Sequence, residues 1–266
     1  MGWIELEGAV NVRDVGGLPT VDGRRTRGGV LVRADNLQDL TDVDVERLTA
    51  ELGVRTVVDL RTDAERQLEG PTPLQRTGVS PPVVHHGLSL VPHRAGDTEG
   101  DDLARAIPHR EGRRGERPTD MTGYYVGYLE DAPQELAAAL RLLADASSGT
   151  TLVHCAAGKD RTGVVVATAL SLAGVTRSAV VADYVASAQV IDRILVRLQG
   201  RRAYGELGAI DVADITPDAG SMERFLDHVD AAYGGPHGLA LAIGLDEETV
   251  ERLVRRLVGP SPHGTR

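Results

Sequence analysis

Residues 150–174 constrain this chain more than any other stretch. Thr150–His154 (TTLVH) is a short apolar run that reads as a buried strand, and Thr162 onward (TGVVVATALSLAG) reads as a helix of small residues ending near Gly174. Between them lies a tight loop, His154-Cys155-Ala156-Ala157-Gly158-Lys159-Asp160-Arg161. Backbone N–H groups of a loop entering a helix N-terminus have no intrahelical partners. Residues 156 to 161 can therefore point several donors at one tetrahedral anion, reinforced by the helix dipole.

The residue types in the loop suit phosphoryl chemistry. Gly158 permits a positive φ and a close approach of backbone that a Cβ would obstruct. Arg161 offers two parallel donors to two phosphate oxygens, and the amides of Ala156, Ala157, Gly158, Lys159 and Asp160 complete the cradle. Cys155 then lies beneath the phosphorus, and the same donors favour its thiolate, the nucleophilic form. In-line attack gives a cysteinyl-phosphate that water hydrolyses. No metal or cofactor is needed, because Arg161 and the amides stabilise the transferring group. His154, on the opposite strand face from Cys155, has a supporting role in orienting the loop. Thr162 either donates its hydroxyl to Cys155 or is an ordinary helix-start residue. A sulfurtransferase is the chemical rival, but its loop is normally shorter between cysteine and cation.

Three blocks now give a resemblance: Asn11–Gly17 (NVRDVGG), Val57–Arg61 (VVDLR) and Gly158–Arg161 (GKDR), with Ala182-Asp183-Tyr184 as a fourth, weaker one. The chain resembles the cysteine-dependent tyrosine and dual-specificity phosphatases with a Cys-x5-Arg loop, in particular the bacterial atypical group of mycobacterial phosphatase B. The resemblance implies an α/β phosphatase fold with a central, mainly parallel sheet flanked by helices. It also implies hydrolysis of phosphotyrosine, with phosphoserine and phosphothreonine activity, and activity on phosphoinositides through the loop lysine. The family's nucleophile falls on Cys155 and its phosphate-binding arginine on Arg161. One departure concerns the general acid: there is no Trp-Pro-Asp loop, and the sole tryptophan is Trp3. The candidates are Asp160, inside the loop, and Asp59, at the end of a strand expected to neighbour it, with Asp97 third.

Lys159 is the chain's only lysine, beside 28 arginines. If arginine serves wherever a planar cation suffices, the surviving lysine marks a position that needs a compact ammonium, such as one meeting further phosphates on a substrate. Cys155 is likewise the only cysteine, which excludes an intrachain disulfide. A net charge of −10 argues against nucleic-acid binding. The N-terminus lacks the basic start and apolar stretch of a signal peptide, and no run is long enough to span a membrane. The expected location is cytoplasmic, with leaderless secretion open.

Strands are expected at 30–33, 54–60 and 83–86, and a helix at 41–52 with Thr41 as N-cap and Asp44 at the capping-box position. Residues 91–118, acidic and then basic, read as a mobile loop. Helices follow at 119–130, 133–146, 177–199, 220–233, 237–243 and 246–257, which makes the C-terminal third helical. The expectation is one domain over residues 1–258, with a disordered tail at 259–266. Val190, Ile191, Ile194, Leu195 and Leu198 form an apolar stripe. It either packs into the core or, with the loose segment after it, closes over the active site as a lid within 189–219.

Three functions compete. The first is a phosphomonoesterase of phosphorylated proteins and phosphoinositides. The second is a soluble inositol-polyphosphate phosphatase. The third is an inactive phosphoprotein-binding module, disfavoured because binding alone has no use for a thiolate.

Overall fold

The computed structural model describes residues 2–106, 121–145, 147, 149–205 and 212–259. Six strands form one sheet: β1 Gly2–Trp3, β2 Arg13–Asp14, β3 Leu31–Ala34, β4 Val54–Asp59, β5 Val84–Gly87 and β6 Thr150–His154, in the order β1-β2-β3-β6-β4-β5. β3, β6, β4 and β5 run parallel, and β1 and β2 add an antiparallel edge. The four predicted strands are present within a residue of their expected starts. The two-residue β1 and β2 carry too little pattern to be read in advance.

The chain lays β4 two places from β3 and later returns to insert β6 between them. The carboxyl end of β6 therefore lies where the strand order reverses, the place where open α/β sheets hold ligands. Register puts Ala34, His154 and Asp59 in one row across the three strands, so the segments that follow them meet at one edge.

Both faces of the sheet are covered, as parallel strands require. Leu31, Val58 and Val153 point to one face, packed by α4 (Met121–Asp131), α5 (Pro133–Ala144), α6 (Asp160–Leu172), α10 (Ala219–Tyr233) and α12 (Glu247–Val258). Val32, Val57 and Leu152 point to the other, against Leu6, Val12, Leu37, Leu48 and Leu74. Leu48 belongs to a π-helical turn, Arg47–Glu51, that extends α1 (Asp42–Glu46); the Thr41–Asp44 capping box opens that helix as expected. α6 is buried from Asp160 to Leu170, and Gly163 lets α7 (Arg177–Val185) come close: a Cβ there would sit 3.1 Å from the Tyr184 ring.

Two expectations are corrected. Residues 177–199 do not form one helix: α7 ends at Val185, a 3-10 turn occupies Ala186–Val190, and α8 runs from Ile191 to Gln199. The break falls where the Ser187 hydroxyl accepts hydrogen bonds from Asn11 (3.1 Å) and Arg13 (3.2 Å), which pin the turn against the sheet edge. The stretch read as a loop over 91–118 contains α3, Glu99–Ala106; its acidic start is a first turn, where carboxylates suit the helix dipole. Thr98 caps that turn, accepting from Asp101 N at 3.2 Å while its own N–H donates to the Asp101 carboxylate at 2.9 Å. The basic run from Arg110 to Arg117 and the tail beyond Gly259 lie outside the described residues. α2 (Asp63–Glu69), α9 (Val212–Ile215) and α11 (Pro236–Ala242) complete the helices named here, and none of the described helices is long and apolar enough to cross a membrane.

Candidate active site

The loop after β6 is shaped by what holds its carbonyls. Leu60 N donates to His154 O at 2.9 Å, Asn36 N to Ala156 O at 2.9 Å, Asn11 Nδ2 to Ala157 O at 2.8 Å and Arg33 NH2 to Gly158 O at 2.7 Å. In a trans peptide the following N–H points away from its carbonyl, so carbonyls tied outward turn the amides of residues 157 to 159 inward. None of the amides from 156 to 161 has an acceptor among the described residues. Gly158 is doubly required, because its φ is +66° and a Cβ would lie 2.3 Å from the Ala34 carbonyl oxygen.

Asn11 and Arg33 are themselves held by a buried charge network. Asp183 pairs with Arg13 (2.9 Å) and with Arg33, and Arg13 donates to Asn11 Oδ1 at 2.5 Å. Burial works to raise the Asp183 carboxyl, but Arg33 and Arg13 overcome it and hold it below the usual range. Burial lowers Arg13 to about 10, with Arg33 adding to the effect. The Asn11 and Asp183 segments, visible in the sequence only as blocks of resemblance, thus orient the loop's peptides.

Arg161 is fixed by Glu65, which sequence reasoning missed. Its guanidinium meets the carboxylate through two bonds, NH1 to Oε2 at 2.6 Å and NH2 to Oε1 at 3.0 Å, and Tyr204 donates its hydroxyl to Oε1 at 2.8 Å. Burial opposes Glu65 ionisation, but Arg161 reverses this and holds the carboxyl low. Glu65 sits at the third position of α2, in a capping box with Thr62. That T-x-x-E spacing just after the VVDLR run was the available signal.

Asp59 faces a different set of partners. It receives Arg61 through Nε at 2.9 Å and NH2 at 2.7 Å, and its Oδ2 is 3.6 Å from His154 Nε2. Burial opposes its ionisation, yet His154 and Arg61 hold it well below the carboxylate range. A group so placed keeps no proton to give. His154 is completely buried, and desolvation lowers it to about 4, so the ring is neutral; Nδ1 is 3.2 Å from the Cys155 carbonyl oxygen.

Asp160 Oδ1 accepts from the Tyr125 hydroxyl at 2.7 Å, which in turn is 2.5 Å from the Tyr184 hydroxyl. Lys159 Nζ donates to Ile215 O at 2.6 Å and lies 3.4 Å from Asp160 Oδ1. Thr162 Oγ1 is buried and makes no hydrogen bond among the described residues, to Cys155 or to any other group. Asp97 pairs with Arg105 at 2.5 Å. With His93 and Asp102 it makes a group of metal-ligand type, but Arg105 reaches Asp102 at 2.7 Å as well and supplies the positive charge there.

The apolar stripe of α8 covers the loop. Ile191, Ile194, Leu195 and Leu198 pack with Ala203 and Tyr204 on Ala156, leaving Cys155 2% exposed. Charged pairs surround this cover: Arg197 with Asp35 (3.4 Å) and Asp39 (3.3 Å), and Arg201 with Asp39 and Glu69 (3.2 Å to the latter).

A family model described as "tyrosine phosphatase family" matches residues 4–259. A tyrosine-protein phosphatase of Nostoc commune is 30% identical over 233 residues, covering 85% of this chain and 73% of that protein. The triple specificity protein phosphatase PtpB of Mycobacterium tuberculosis is 30% identical over 290 aligned residues, covering 96% of this chain and 99% of that protein. Among solved structures, P. aeruginosa TpbA aligns at 19% identity with a TM-score of 0.38, over 83% of this chain and 89% of that one, a correspondence too loose to carry weight. On the family match across nearly the whole chain and on these relatives, the chain belongs to the tyrosine phosphatase family.

Proposed function

We propose that the protein hydrolyses phosphotyrosine, with phosphoserine and phosphothreonine as further substrates, and phosphoinositides, through a cysteinyl-phosphate intermediate. The observation that carries this reading is the run of amides at residues 156–161 without an acceptor among the described residues, closed on one side by an Arg161 held by Glu65. Electrostatic preorganisation of this kind costs no rearrangement as charge develops on the transferring group.

In the first step Cys155 Sγ forms a bond to phosphorus while the bond to the ester oxygen breaks, and that oxygen takes a proton from Asp160. In the second, water attacks phosphorus, Asp160 recovers the proton, and the sulfur leaves with phosphate released. Asp160 is preferred to Asp59 because Asp59 is bound on both oxygens by Arg61, whereas Asp160 accepts from a neutral phenol, Tyr125, at 2.7 Å and meets a cation, Lys159, only at 3.4 Å. Thr162, with its hydroxyl unpartnered, is available to the departing sulfur. His154 supports the loop as a neutral ring.

α8 serves as a lid that must move for substrate to enter. Its inner face is aliphatic, so the opened mouth favours aromatic or lipid-bearing phosphates over a free inositol polyphosphate. The triple specificity named for PtpB supports the breadth of this reading. The test is turnover of p-nitrophenyl phosphate, phosphopeptides and phosphoinositide vesicles, each with and without chelator, for the native protein and Cys155→Ser. The expected result is chelator-resistant turnover, abolished in the variant, with a one-phosphate adduct on Cys155 trapped by acid quench. Appreciable activity in Cys155→Ser overturns the mechanism.

A further inference from the structure

Tyr128 lies on α4, one helical turn beyond Tyr125, on the same face of the helix. The two rings pack together, with centroids 6.2 Å apart. Tyr125 spends its hydroxyl on Asp160. The Tyr128 hydroxyl has no hydrogen-bond partner among the described residues, although the residue is only 4% exposed and Oη is buried. An unpaired buried hydroxyl is costly and uncommon, and it calls for a specific explanation.

Its surroundings supply one. The charged groups that act on the phenol are Asp160, Arg161, Cys155 and Glu65, the acid, cation and nucleophile of the proposed reaction and the anchor of the cation. Tyr128 also belongs to the same packed cluster as Cys155. Burial above all, and then the charge of Asp160, keep the phenol protonated far beyond neutrality, so it is a donor and not an acid. A buried donor packed in one cluster with Cys155, and without an acceptor among the described residues, is suited to an acceptor that arrives with the substrate.

We infer that Tyr128 Oη donates a hydrogen bond to a non-bridging oxygen of the phosphoryl group bound over Cys155, so that α4 supplies a substrate contact from outside the Cys-x5-Arg loop. The inference rests on the phosphatase reading for its substrate. The sequence separates Tyr128 from the loop by some 27 residues, and only the packing of α4 on α6 brings it there.

The test is Tyr128→Phe, which removes one oxygen and keeps the ring. Tungstate is the probe of oxyanion binding, measured by calorimetry in Cys155→Ser with and without the second substitution; kcat and KM for p-nitrophenyl phosphate are measured in the otherwise native protein. The expected loss is roughly 10- to 150-fold in tungstate affinity and in kcat/KM, the range for a hydrogen bond to a charged group. Thermal stability without ligand should hold or rise, since an unsatisfied hydroxyl has been removed. Unchanged tungstate affinity overturns the inference and makes the phenol a packing residue or the partner of a buried water. If the native protein turns over no phosphomonoester, the phosphatase reading fails, while the tungstate comparison still decides the role of Tyr128. Tyr128→Met, which also lacks the hydroxyl, replaces the phenylalanine variant should that fail to fold.

Discussion

Glu65→Gln tests the central electrostatic feature of the site. Glutamine is accepted at the third position of a capping box, so the start of α2 is preserved and the loss is confined to the charge facing Arg161. Both partners are fully enclosed, with relative side-chain exposures of 3% and 0%. Removing one member of such a pair leaves an uncompensated buried charge, which costs about 3–5 kcal/mol; the lower end applies because glutamine keeps one acceptor oxygen. At about 2–4 °C per kcal/mol for a chain of this size, the midpoint of thermal unfolding should fall by roughly 6–12 °C at neutral pH. Added phosphate should raise the variant's midpoint more than the native protein's, because the bound anion restores a counter-charge to Arg161. The pH dependence has a definite sign. The native Glu65 carboxyl titrates below its ordinary value of 4.5, so the pair's contribution is complete above that value and is lost as the pH falls through the folded one. The variant should lack this acid limb. Equal midpoints at neutral pH, with parallel curves into acid, would refute the reasoning and leave Arg161 oriented by something other than Glu65.

Two further outcomes follow from the loop. Asp160→Asn should depress turnover of alkyl phosphates, whose alkoxide leaves only when protonated, far more than that of p-nitrophenyl phosphate, and should remove the basic limb of the kcat profile; Asp59→Asn should depress both substrates alike through loss of the Arg61 pair. A reversal of that pattern would make Asp59 the acid. Lys159→Ala should reduce phosphoinositide turnover more than phosphotyrosine turnover, and equal losses would instead assign Lys159 to shared chemistry. Because it also cuts the tie to the Ile215 carbonyl at the end of α9, Cys155 in this variant should react faster with iodoacetate, and an unchanged rate would show that this tie does not restrict access to Cys155.

The contiguous part of the site was legible from residue order alone. Cys155, Gly158 and Arg161 occupy one strand-loop-helix segment and are near one another in space because they are near in sequence, and the hydrophobic runs at 54–60 and 150–154 are buried strands in any α/β layering. The Thr41–Asp44 box opened its helix for the same reason: a cap is made within four residues. What the order of residues could not show is which distant groups receive the loop's outward carbonyls and its inward cation. Asn11, Arg33 and Asp183 are recognisable as supports only when the sheet sets β2, β3 and β6 side by side, and Glu65 only when α2 docks behind the loop. The helical period of 177–199 ran through residue 190 without a break, because periodicity records which faces are apolar and not which neighbour claims the backbone; Ser187, taken by Asn11 and Arg13, decided the turn. The stripe on α8 was equally compatible with a core or a cover, since a hydrophobic face specifies that something must be buried against it, and only the tertiary arrangement sets it in one cluster with Ala156 of the loop after β6.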